Sequence, residues 1–155
     1  MPAGWRVADP EFAKSPQEML SGEGAFLYGG RWNTKGHRVV YLGGNLATAS
    51  VELLVHLDSV SVLNGFSKME VIFDDAHVIF IDPDDLPDDW TQSSMTPTTQ
   101  IIGDDWLDNQ ESLILQIPSV VIEGEHNYLL NPLHPDFKAI ETSDITPFKY
   151  DPRIR

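Results

Sequence analysis

From Tyr28 to Glu52 the chain runs through a glycine loop, a short strand and a helix in close succession, and this unit constrains everything around it. The loop reads Tyr28-Gly29-Gly30-Arg31-Trp32-Asn33-Thr34-Lys35-Gly36-His37-Arg38. Paired glycines let a backbone approach a ligand closely and adopt positive φ without steric penalty. Arg31 then offers a planar five-donor fork suited to phosphate or carboxylate. Arg31, Lys35 and Arg38 are three of only 10 Lys and Arg residues in a chain of net charge -14. A basic island in so acidic a protein reads as a site for an anion. The alternative is a hairpin with a solvated basic turn.

Val39-Val40-Tyr41-Leu42 is a compact β-prone run. After Gly43-Gly44, Asn45 is placed to cap a helix over residues 46–57. That segment is apolar nearly all round, with Leu46, Ala47, Ala49, Val51, Leu53, Leu54, Val55 and Leu57, so the expectation is a buried helix. One polar stripe interrupts it: Thr48, Glu52 and His56 fall on one face at i, i+4, i+8. A carboxylate in a buried helix needs partners, because an isolated buried charge is very costly. Glu52 is therefore either half of a structural ion pair, with His56 or an arginine, or a catalytic carboxylate facing a cleft.

The flanks supply the rest of an α+β domain. A strand is expected over Trp5–Ala8, then a short helix opened by Ser15-Pro16 and ended by Gly22 and Gly24. Residues 68–73 and 77–81 read as strands, and the aspartate-rich stretch 82–89 as a solvated connector without the spacing of a calcium loop. A helix over Thr98–Asn109 would turn Ile101, Ile102, Trp106 and Leu107 inward. Residues 112–117 and 119–122 are β-prone on either side of Pro118, which removes a ladder donor and should break or bulge the run. Ser119 then sits beside an irregularity, where a hydroxyl can face a pocket. Residues 127–131 make a further strand ending at Pro132. His126 and His134 lack a third partner for a metal, and neither a nucleophile elbow nor a hydrolase triad is visible. Trp5, Trp90 and Phe148 are candidates for an exposed partner surface.

With 155 residues, 41% hydrophobic content and no cysteine, the chain suits one domain, 1–155, with a core that needs no disulfides. Its charge argues against direct contact with nucleic acid or an anionic membrane. The opening residues show no signal-peptide pattern, and a cytoplasmic location is expected.

Taken together, Gly29-Gly30-Arg31-Trp32-Asn33 with Gly36, Val40-Tyr41, Glu52 ahead of Leu54-Val55-His56, Ile102-Gly103-Asp104-Asp105-Trp106, Pro118-Ser119, Glu125 with Asn127, Asn131-Pro132, His134-Pro135-Asp136-Phe137 and Asp151-Pro152-Arg153 resemble the RES-domain toxins of bacterial toxin–antitoxin modules. The blocks occur in the family's order and span nearly the whole chain. The family is named for an Arg, a Glu and a Ser, which correspond here to Arg31, Glu52 and Ser119.

The resemblance implies a mixed α/β fold similar to ADP-ribosyltransferases. It implies NAD as substrate, with no metal or separate cofactor, and loss of NAD as the toxic event. It implies Arg31, Tyr41, Glu52 and Ser119 as catalytic residues, with Tyr28 and Asn131 lining the substrate. A cognate helix-turn-helix antitoxin of the Xre type would cover the site, with room for a homodimer within that complex. The acceptor is left open: water or phosphate would make a glycohydrolase or phosphorylase, a protein side chain a mono-ADP-ribosyltransferase. A non-catalytic binding module is the alternative of another class.

Overall fold

The computed structural model describes residues 1–57, 64–92, 97–151 and 153. Pro152, in the closing Asp151-Pro152-Arg153 block, lies outside them. Among the described residues eight strands form one mixed sheet: β1 (Ala3–Ala8), β2 (Val40–Gly43), β3 (Ser67–Ile72), β4 (Val78–Phe80), β5 (Ile114–Pro118), β6 (His126–Leu130), β7 (Glu141–Thr142) and β8 (Thr146–Pro147). The order across the sheet is β4-β5-β6-β2-β1-β3-β7, with β8 also on β3. β4 and β5 run parallel, and the other pairs among the described residues are antiparallel.

Among the described residues four α-helices flank the sheet: α1 (Pro16–Met19), α2 (Glu23–Tyr28), α3 (Leu46–Leu54) and α4 (Pro97–Asp108). The caps follow the sequence. The Ser15 side chain accepts from the Glu18 N–H, and that of Asn45 from the Thr48 N–H, each satisfying a donor at a helix start. The glycines behave differently from expectation. α1 has already ended when the chain reaches Gly22, whose φ of 69° makes it the entry to α2, and Gly24 lies inside that second helix.

Side chains alternate across the pleat, which sorts the core. One face carries Val40, Leu42, Met69, Val71, Ile114, Tyr128 and Leu130, packed with Met19 and Leu20 from the α1 region. The opposite face carries two clusters. In the first, Trp32, Trp106, Leu107, Leu115, Ile117 and Leu129 lie under the glycine loop and α4. In the second, Val7, Ala49 and Phe148 lie under α3. Gly43 is the close approach that seats α3: an added Cβ would overlap Ala49.

Several burial expectations change. Of α3, only Thr48 and Ala49 are buried, and Val55, just beyond its end, is exposed. One sheet face can cover one stripe of a helix, so the remaining apolar residues stay half-covered or outside. Ile101 of α4 faces solvent, and the buried positions of that helix are Thr99, Gly103, Trp106 and Leu107. Phe148 is buried rather than exposed. Strand β5 ends at Pro118, and residues 120–122 form bends rather than a second run.

Candidate active site

The first part of the site is a carboxylate held by one oxygen. Glu52 projects from α3 toward the turn where β5 passes into β6. Its Oε1 accepts a hydrogen bond from Ser119 Oγ at 2.6 Å and another from Asn127 Nδ2 at 2.8 Å. Oε2 has no partner among the described residues. The ion-pair reading therefore fails: His56 is exposed, and Glu52 is paired with neutral donors.

Both donors are fixed by their backbone. Pro118 ends the ladder, and Ser119 N–H bonds to Glu125 O at 2.9 Å, closing the turn. Ser119 is 5% exposed, and its Oγ also accepts the Ile122 N–H at 3.1 Å. Asn127 stands opposite Gly43 on β2. The missing side chain at Gly43 leaves the sheet surface open for α3, which brings Glu52 onto Asn127.

The second part is the glycine loop, which α4 grips along one face. Thr99 Oγ1 donates to Arg31 O at 2.7 Å. Gln100 Nε2 donates to Gly30 O at 3.1 Å and Asn33 O at 3.2 Å. Asp104 accepts from the Thr34 N–H and hydroxyl at 3.0 and 2.7 Å, and Asp108 lies 3.1 Å from His37 Nε2. Positions 100, 104 and 108 share a helix face by their spacing. Gly103 lets the loop lie directly on the helix, since a Cβ there would collide with Trp32 O.

Tyr41 secures the loop from below. Its hydroxyl donates to Asn33 Oδ1 at 2.7 Å and accepts the Trp32 N–H at 3.0 Å. Burial pushes this hydroxyl well above its ordinary pKa, so it stays a neutral donor. Gly30 packs against it, where an added Cβ would stand 2.6 Å from the hydroxyl. Arg31, half-buried, donates from Nη1 to Trp90 O at 2.8 Å.

These two parts share one face of the sheet. Gly43, under α3, and Tyr41, under the loop, point the same way from β2, two residues or roughly 7 Å apart. On β6, Asn127 and Leu129 repeat the pattern, one under Glu52 and the other within the cluster beneath Trp32.

The RES domain profile matches residues 3–151. The chain belongs to the RES-domain family. Relatives of this RES-domain chain include a protein named Toxin Res from Yersinia enterocolitica, 38% identical over 87% of this chain and 90% of the relative. Another, from a Sphingobium species, is named Prs ADP-ribosylating toxin and is 33% identical over 97% of this chain and 94% of its own length. Among solved structures, the crystal structure of the Mycobacterium tuberculosis MbcT–MbcA toxin–antitoxin complex contains a chain of the same fold. The TM-score is 0.76 at 16% identity, over 95% of this chain and 84% of that one.

Within the RES domain, the residues expected at the site divide. Glu52 and Ser119 meet directly, and Arg31 and Tyr41 meet through the loop. Tyr28 ends α2 with its ring largely in solvent, three residues before Arg31. Asn131 does not belong to the Glu52 cluster. It lies just past the far end of β6, 2% exposed, with Oδ1 accepting the Leu133 N–H at 3.0 Å. The basic island also disperses. Lys35 is exposed, and Arg38 turns away to Ser21 O and the ring of Phe26, 4.7 Å from its centroid.

Two shallow depressions of about 220 and 250 Å³ lie elsewhere, one beside Pro118 and His126, the other between Arg38, Asp108 and Asn131. No group of three or more His, Asp or Glu among the described residues is arranged to hold a metal. No helix among them is long and apolar enough to cross a membrane. Asn127, quoted above only as part of a family block, is the site residue to which sequence reasoning gave no role. Its signal was the alternation of β6, which puts residue 127 on the face of Leu129 and opposite the bare Gly43.

Proposed function

We propose that this RES-domain chain is the toxin of a toxin–antitoxin pair and that it cleaves the nicotinamide–ribose bond of NAD. The observation that carries the reading is the Glu52 carboxylate, pinned through Oε1 by Ser119 and Asn127 with Oε2 unpartnered, on the same sheet face as the Arg31 loop. A surface built only for docking has no use for a carboxylate held in this way.

Breaking the C–N bond leaves the electron pair on nicotinamide, which departs as a neutral base, and positive charge develops on the ribose as in glycoside cleavage. No general acid is required. Glu52 Oε2 would face the sugar, holding a ribose hydroxyl and stabilising a charge that exists only in the transition state. The free donors of Arg31 would bind the pyrophosphate by charge-assisted bonds. Tyr41 would act by fixing the loop that carries Arg31. The acceptor nucleophile then attacks the anomeric carbon, and any proton it carries passes to solvent.

A second reading concerns the acceptor alone. The relative named an ADP-ribosylating toxin matches almost the full length, which favours a protein side chain over water. The fold shared with a chain of a solved toxin–antitoxin complex supports a cognate antitoxin; its helix-turn-helix class and its cover over this face belong to the proposal.

The test is to incubate the purified chain with NAD, with and without inorganic phosphate and with cell extract, and to follow free nicotinamide. Release is expected, and the partner product (ADP-ribose, its 1″-phosphate, or a modified protein) identifies the acceptor. No release under any of these conditions overturns the reading.

A further inference from the structure

We propose that Asn127 is a positioning residue that holds the Glu52 carboxylate in its reactive orientation, and that the fold accepts a stranded polar atom to keep it there. The proposal rests on the reading of Glu52 given above. The Asn127 side chain divides unequally. Its Nδ2 donates to Glu52 Oε1 at 2.8 Å. Its Oδ1 is fully buried and is the one buried side-chain oxygen or nitrogen without a hydrogen-bond partner among the described residues.

Buried polar groups are almost always paired, and an unpaired acceptor weakens a fold. An apolar side chain at position 127 would avoid that loss, and its neighbour Leu129 shows that this face of β6 accepts one. An asparagine there contributes only what its amide donor does. That donor meets the same carboxylate oxygen that Ser119 meets from the turn. Two donors converging on Oε1 fix the carboxylate plane and leave Oε2 as the oxygen available to substrate. Ser119 alone would leave the group free to rotate.

The test compares wild type with Asn127→Leu and Asn127→Asp, using Glu52→Gln as reference, in nicotinamide release from NAD and in thermal unfolding. Asn127→Leu is expected to lose on the order of 10- to 100-fold in kcat, with KM little changed and with a Tm equal to or above that of wild type. A residue serving only the fold would show the reverse. Asn127→Asp puts a second carboxylate against Glu52 and is expected to move the acid limb of the pH–rate profile to higher pH. The neighbouring ionisable groups, Glu125 on the turn and His56 one helical turn past Glu52, are the same in both variants. Asn127→Leu with the wild-type kcat, or an Asn127→Asp profile that superimposes on wild type, overturns the proposal when Glu52→Gln is inactive. A fully active Glu52→Gln overturns the reading of Glu52 itself, and the positioning role with it.

Discussion

Two asparagines four residues apart on and just past one strand show how the same side chain serves two ends of this molecule. Asn131 belongs to the fold: its Oδ1 caps the Leu133 N–H and its Nδ2 faces Leu107 O at 3.5 Å, so both ends of the amide are engaged. Asn127 has one end on Glu52 and the other unsatisfied. Sequence position and residue type do not distinguish them. The difference lies in what crosses the sheet above each, α4 and a turn at one end, α3 and its carboxylate at the other. Asn131 is satisfied within the fold, whereas the unpaired end of Asn127 beside a carboxylate needs an explanation that packing does not give.

The strongest way to sharpen that contrast is at Gly103, which is purely architectural yet sits under the loop that carries Arg31. Gly103→Ala forces Trp32 O away from the helix, and overpacking of this kind should cost about 3 kcal/mol. Both Tm and NAD cleavage should fall together, as thermal unfolding and nicotinamide release will read. Next comes Asn131→Ala, with an expected loss of about 2 kcal/mol from the broken cap and vacated space. The protein that remains folded should keep its wild-type kcat, the opposite of Asn127→Leu. Equal behaviour of the two variants would break the comparison.

Tyr41 gives a smaller effect with a pH signature. Its hydroxyl titrates above the ordinary 10.0 in the folded chain, chiefly through burial. The folded value is raised, so this contribution is complete below about pH 10 and is lost as pH climbs from there toward the folded value. Urea unfolding across that range should show stability falling. Tyr41→Phe should lose about 1.5 kcal/mol at neutral pH and show a flatter alkaline dependence. The smallest effect is expected for Asn45→Ala, which removes the cap of α3 at about 1 kcal/mol. It should lower Tm by roughly 2–4 °C and leave KM unchanged.

Much of this arrangement was legible in the residues. The caps at Ser15 and Asn45, the ends of α4 to within a residue and the break at Pro118 all follow from local chemistry, whereas the contact of Glu52 with Ser119 appears only in the fold. What escaped depends on contacts between distant segments. The apolar run of α3 suggests a helix covered on all sides, but coverage is set by how much sheet is available, and β2 and β1 offer one face. The cations of the glycine loop look like one island in the sequence. Phe26, Ser21 and Trp90, from other elements, draw Arg38 and Arg31 apart. Asn127 stood in a family block without an assigned role, because that role exists only once α3 lies over Gly43.

The central claim is that the half-held carboxylate of Glu52 performs the bond cleavage, and the most direct measurement is nicotinamide release by wild type and Glu52→Gln side by side at saturating NAD. Glutamine keeps the shape and removes the charge. The account predicts a rate lower by at least about 100-fold with an unchanged Tm. Release by Glu52→Gln at the wild-type rate would contradict it.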